Sequence, residues 1–134
     1  MPFQPAEMFD LVNDIEQYPQ FLPGCPKAEI LSRAENEIRA TVYFAKGPFA
    51  KSFSTVNRLI PHERIEICLL EGPFRQLEGV WQFQPAPIGC EVSLQLVFEF
   101  ANSLAALAIG PVFQTMASAL VDTFTKRAHQ VYAR

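Results

Sequence analysis

Between Ala28 and Phe100 the apolar residues recur at every second position, and after Gly110-Pro111 they recur at every third or fourth. Ile38, Ala40, Val42 and Phe44 alternate with Arg39, Thr41 and Tyr43, and Ile65, Ile67 and Leu69 alternate with Glu66, Cys68 and Leu70. Leu77, Gly79, Trp81 and Phe83 share one phase, and Val92, Leu94, Leu96, Phe98 and Phe100 oppose Ser93, Gln95, Val97 and Glu99. Successive side chains of a strand point to opposite faces, so each stretch is a half-buried strand. The links between them are short, which leaves antiparallel hairpins as the connection.

In the last segment Phe113, Met116, Ala117, Leu120, Val121, Phe124, Ala128 and Val131 form one stripe, and Thr115, Ser118, Asp122, Lys126 and His129 another. No proline or glycine follows Pro111. A helix is predicted from Pro111 to Arg134, about 36 Å long at ~1.5 Å per residue. At the other end, Pro5 to Asn13 carries Met8, Phe9, Leu11 and Val12 at helical spacing, with Pro5 at a first helical position. Asp14 can cap a second short helical turn, which Pro19 and Pro23 stop from extending.

The order is two short helices, about six strands in a meander and one long helix, an α+β domain covering residues 1-134. The apolar stripe of the helix needs a surface, and the sheet is the one candidate large enough. A twisted sheet of six strands bends around such a helix, and its inner face carries more large apolar side chains than one helix covers. A cavity follows. Gly79, the one glycine inside a strand, marks a bend or a close approach, where a side chain would fill that cavity.

Composition removes several function classes. Eleven Lys and Arg against fourteen Asp and Glu give a net charge of -3, without the electrostatic footprint of a general nucleic-acid binder, so DNA is not an expected partner. No run approaches the ~18 apolar residues of a membrane span and no signal segment opens the chain, so a soluble, cytoplasmic protein is expected. Cys25, Cys68 and Cys90 are odd in number and lack metal-ligand spacing, which predicts buried free thiols and no metal.

Several motifs occur in one order along the chain: Tyr18-Pro19-Gln20-Phe21-Leu22-Pro23-Gly24-Cys25; Asn57-Arg58-Leu59 and Glu63-Arg64-Ile65 around a turn; Gly72-Pro73-Phe74 followed by Leu77-x-Gly79-x-Trp81-x-Phe83; and Phe98-Glu99-Phe100 before Gly110-Pro111-Val112-Phe113. With these motifs the chain resembles the coenzyme Q-binding START-domain proteins and their bacterial relatives, the ribosome association toxins. The resemblance implies a helix-grip fold with a hydrophobic tunnel, a ligand such as ubiquinone, another polyisoprenoid or a lipid, and the older family label of polyketide or oligoketide cyclase. Members of that family usually begin with a strand before the first helix, whereas only Met1-Pro2-Phe3 precede Gln4-Pro5 here. Without that strand, Glu91 to Phe100 is left with an unpaired edge, which predicts self-association as a homodimer.

Catalysis needs a positioned acid, base or nucleophile. His62 falls in a turn and His129 on the polar stripe, and Cys25 has no neighbouring base in sequence, so none is a catalytic candidate. The expected cavity lining is Trp81, Phe83, Phe98, Phe100, Phe113, Met116, Leu120 and Phe124, with Arg58, Arg75 and Glu78 as conceivable polar contacts. Lys126, Arg127 and Arg134 complement the negative end of the last helix or face a partner. The function expected is noncatalytic binding of a quinone, isoprenoid or other lipid, with no cofactor of its own. The alternative is a ribosome association toxin acting on the large ribosomal subunit to block 70S formation, and a cyclase is the third reading.

Overall fold

The computed structural model describes residues 3–22, 24–46 and 49–132, without the side chains of 46, 49, 105, 108, 109, 112 and 116. Helix α1 (Pro5–Asn13) opens with Pro5 after the cap residue Gln4, whose backbone N–H donates to the Glu7 carboxylate at 3.0 Å. It buries Met8, Phe9, Leu11 and Val12. A 3-10 helix (Ile15–Gln20) follows; Asp14 precedes it without a side-chain capping bond, contrary to the expectation from sequence.

Six strands then form one antiparallel sheet in sequence order: β1 (Lys27–Ala34), β2 (Glu37–Lys46), β3 (Phe49–Ile60), β4 (Arg64–Glu71), β5 (Phe74–Pro85) and β6 (Cys90–Phe100). The period-two pattern sets the register. Ile38, Asn57, Ile67, Gly79 and Leu96 are cross-strand neighbours in one row of the inner face. The pairing shifts at Ile30/Ser32, Ser54/Thr55 and Phe74/Gln76, and such bulges increase the twist and curl a sheet. Among the described residues β6 pairs only with β5, so its outer edge carries no strand.

Gly72 lies between β4 and β5 at a close approach, because a Cβ placed there would be 2.7 Å from Phe53 Cβ. Gly79 has its inner side against Leu96, whose Cδ1 would be 3.1 Å from an added Cβ. Both glycines keep the sheet close to its neighbours where a methyl group does not fit freely.

The C-terminal helix differs from the sequence expectation. It starts at Ser103, not Pro111, and divides into α2 (Ser103–Ser118) and α3 (Leu120–Tyr132). Pro111 sits inside α2, on its exposed side, and offers no N–H to the Leu107 carbonyl. At the division, Thr115 Oγ1 donates to the Pro111 carbonyl at 2.9 Å and Ser118 Oγ to the Thr115 carbonyl at 3.2 Å. Hydroxyls that bond back along a helix compete with backbone donors and bend it, which accounts for the joint at Ala119. Val131, assigned to the apolar stripe, is exposed. Arg134 lies outside the described residues.

Two large clusters and a smaller one, Ile15, Ile38 and Ala40 at the 3-10 helix, fill the space between helices and sheet. One joins Phe3, Met8, Phe9, Val12, Trp81, Phe83, Phe124 and Ala128 at the α1–α3 end. The other joins Leu22, Cys25, Phe44, Phe74, Leu77 and Phe113 at the α2 end. Cys25 and Cys90 are buried free thiols, while Cys68 is exposed on the outward phase of β4, correcting the expectation that all three are buried. No helix among the described residues is long and apolar enough to cross a membrane, and no group of His, Cys, Asp and Glu there is arranged to hold a metal.

Candidate functional site: an apolar cavity under the helix joint

Between the two large clusters lies a cavity of about 90 Å3. Its roof comes from both sides of the joint: Phe113 and Ala117 on α2, Leu120 and Phe124 on α3. Its floor is the inner face of the sheet, including Ala40, Val42, Phe53, Thr55, Asn57, Ile67, Leu77, Trp81, Leu94 and Leu96, and the 3-10 helix closes one side with Ile15 and Tyr18.

Aromatic edges fix the roof. The Phe113 ring meets Phe74 and Phe98, each with centroids 4.8 Å apart, and Phe124 meets Tyr18 at 5.3 Å, Phe21 at 5.2 Å and Trp81 at 5.4 Å. These T-shaped and tilted pairs add attraction beyond burial itself. The two rings pin the helices at either end of the cavity.

Of the eight residues expected to line a cavity, Trp81, Phe113, Leu120 and Phe124 reach this one. Phe83 instead packs against Phe9 and stacks on Trp81 in the α1 cluster. Phe98 and Phe100 surround Phe113 at the other end and are absent from the cavity wall. These three stand outside this wall: they share the inward phase of their strands, but alternation gives the face and not the distance along it. The Met116 side chain lies outside the described residues. The proposed polar contacts are elsewhere: Arg58 and Arg75 are exposed and paired with Glu66 at 3.8 Å and Glu99 at 2.8 Å, and Glu78 is exposed.

The polar groups that do reach the cavity are Thr55 and Asn57 on β3, 6% and 8% exposed. Thr55 Oγ1 donates to Asn57 Oδ1 at 2.9 Å. Sequence reasoning missed them. The signal was there, since Phe53, Thr55, Asn57 and Leu59 hold one phase of β3, placing two polar residues on an apolar face.

Among the described residues, the titratable group in the wall is Tyr18. Its hydroxyl donates to the Val12 carbonyl, and burial pushes the phenol well up, with Cys25 and Asp14 adding to the rise. Burial also raises the Cys25 thiol, against a smaller lowering by the Lys27 backbone, whose carbonyl accepts from Sγ at 3.5 Å. The histidines are outside the cavity. His62 is on the β3–β4 turn with its ring edge-on to Phe9 at 5.6 Å, and His129 is edge-on to Phe3 at 4.9 Å. Lys126 is paired with Asp122 at 3.0 Å, and Arg127 reaches Gln20 at 3.2 Å and lies over the Phe21 ring. Both basic groups have local structural partners.

The chain matches, over residues 1–125, the family described as polyketide cyclase/dehydrase and lipid transport. It is 41% identical over 133 residues to the ribosome association toxin RatA of Pseudomonas aeruginosa, covering 98% of this chain and 92% of that protein. With the coenzyme Q-binding protein COQ10 homolog B of Xenopus laevis it shares 27% over 137 residues, covering 98% of this chain and 56% of that protein. Among solved structures, an aromatase/cyclase from Streptomyces sp. R1128 superposes with a TM-score of 0.79 at 14% identity, covering 96% of this chain and 88% of that one. A START superfamily protein from Mycobacterium smegmatis gives 0.67 at 19%, covering 98% and 93%. At such identities these two establish the helix-grip fold alone. The chain therefore belongs to the polyketide cyclase/dehydrase and lipid transport family, in the branch that holds the ribosome association toxins.

Proposed function

We propose that this protein binds an apolar ligand of the quinone, isoprenoid or lipid class between its sheet and its C-terminal helices, without catalysing a reaction on it. The observation that carries this reading is the cavity under the joint, walled by aromatic and aliphatic side chains with one buried polar pair. Each methylene moved from water into such a wall contributes roughly 0.8 kcal/mol, so an isoprenoid tail supplies affinity and a few polar groups supply orientation. The noncatalytic part is supported by the wall itself. Among the described residues its titratable side chain is Tyr18, which spends its hydroxyl on a backbone carbonyl and is held protonated. A cyclase is the least supported reading, because acid–base work needs a group near its working pH facing the substrate.

At about 90 Å3 the cavity is smaller than the ~150 Å3 that accommodates benzene in an engineered core. Uptake therefore includes a widening, and the joint at Ala119, which lies between the roof residues Ala117 and Leu120, is where the helices can separate.

The likeness over nearly the whole chain to ribosome association toxins favours a second reading, in which the same fold docks on the large ribosomal subunit and blocks 70S formation. Pairing of two copies through the open edge of β6 is a further element, checked by sedimentation. Cytoplasmic residence, with the protein peripheral to a membrane that holds its ligand, completes the proposal.

One experiment separates the two readings. The purified protein is extracted with organic solvent and analysed by mass spectrometry, and the same protein is added to ribosomes on a sucrose gradient. A copurifying quinone or lipid, lost in Trp81→Glu, supports the carrier. No ligand, together with collapse of the 70S peak, rejects it in favour of the ribosomal reading.

A further inference from the structure

We propose that Thr55 and Asn57 anchor an oxygen of the ligand, so that the cavity selects a carbonyl-bearing molecule, a ketone or a quinone, over a hydrocarbon of the same shape. The inference rests on the ligand-binding reading above and makes it chemically specific.

The pair sits at the centre of the sheet. Asn57 has Ile38 on one side and Ile67 on the other, and Thr55 has Ala40 and Leu69. All four neighbours are apolar, and both polar side chains are more than nine-tenths buried. A primary amide offers two N–H donors and a carbonyl acceptor. The hydrogen bond the Asn57 side chain makes among the described residues is the one it accepts from Thr55 at 2.9 Å, which occupies the acceptor side and leaves the NH2 group unspent. Tyr18 does not meet it, since that hydroxyl donates to Val12.

A buried donor without a partner is costly, and an apolar ligand would seal it off from water. A carbonyl oxygen with two lone pairs removes the cost and places the ligand's polar end against β3. Thr55 has a positioning role, because its hydrogen bond to Oδ1 turns the amide so that the NH2 side is the free one.

The test uses calorimetry on the wild-type protein, Asn57→Leu and Thr55→Val, with two probes: a 2-alkyl-1,4-benzoquinone and the alkylbenzene of matching tail. The wild type is expected to bind the quinone about tenfold more tightly than the alkylbenzene, on the scale of one buried hydrogen bond. Asn57→Leu is expected to erase that preference with alkylbenzene affinity kept or improved, and Thr55→Val to reduce it in part. Equal wild-type affinities for the two probes overturn the anchor while leaving ligand binding intact. So does an equal loss of both probes in an Asn57→Leu or Thr55→Val protein that melts like the wild type. If the wild type binds neither probe, the ligand-binding reading fails and the anchor with it.

Discussion

Helix α3 and the first two turns of α2 lie on the same sheet but are held differently. α3 buries Phe124 and Ala128, and from its last turn the Tyr132 hydroxyl donates to the Glu7 carbonyl of α1 at 2.8 Å. At the α2 start Leu104 and Leu107 are 77% and 80% exposed, and the Ala106 N–H donates to the Asn102 carbonyl at 3.1 Å. No charged residue occurs from Ala101 to Val121, so this stretch has no ion pair to fix it, whereas α3 carries the Asp122–Lys126 pair. Elements with few buried contacts open at low free energy. The α3 end is therefore the clamp of the grip and the first two turns of α2, ahead of the buried Phe113 ring, its movable part.

The largest expected effect is at the clamp. Phe124→Ala removes the ring that Tyr18, Phe21 and Trp81 surround, and should cost about 3–5 kcal/mol, read as a drop in the urea midpoint. A cost below about 1 kcal/mol would mean that α3 is not the clamp. Next comes Gly72→Ala, where the new Cβ would stand 2.7 Å from Phe53 Cβ, a ring that in turn meets Phe113 at 5.8 Å. Overpacking at such a site costs about 1–3 kcal/mol. The strain falls at the α2 end, so hydrogen exchange should rise in α2 before α3 in that variant.

Most of this arrangement was legible in the sequence, and the exceptions have physical causes. Alternation located the strands and their inner phase because a half-buried sheet forces it. The α2 start was hidden because Gly110-Pro111 has the form of a helix boundary, while in the fold Gly110 lies over the Phe100 ring and Pro111 is on the exposed side. Phe83, Phe98 and Phe100 were indistinguishable from Trp81 by phase. Which of them meets the cavity depends on where the α2 and α3 rings come down, a long-range fact that no local pattern carries. Thr55 and Asn57 were readable as polar residues on the inner phase but carried no motif.

Tyr18 offers a third, smaller break. It lies in the wall beside Phe124 and its hydroxyl bonds to Val12 at the end of α1, so Tyr18→Phe should cost about 1 kcal/mol at neutral pH. The sign of its pH dependence follows from the raised phenol. A group whose folded value lies above its unfolded value stabilises fully below the unfolded value, here 10.0, and loses that contribution as the pH rises toward the folded one. The wild type should therefore lose stability above about pH 10, and part of that alkaline slope should vanish in Tyr18→Phe. An unchanged slope would place its origin in the raised thiols, Cys25 and Cys90.

The smallest effect on stability belongs to the movable end, and it tests the comparison most directly. Leu104→Gln with Leu107→Gln exchanges two exposed apolar side chains for polar ones, so the urea midpoint should move by no more than about 0.5 kcal/mol for each. If the α2 start only covers the sheet, the double variant should otherwise behave like the wild type. If it is the part that lifts, its apolar surface faces the medium from which a lipid arrives, and quinone uptake from vesicles should slow several-fold with equilibrium affinity unchanged, measured as Trp81 quenching against time. A loss of affinity equal to the loss of rate would place Leu104 and Leu107 in the binding site itself, and the division between clamp and movable end would have to be redrawn.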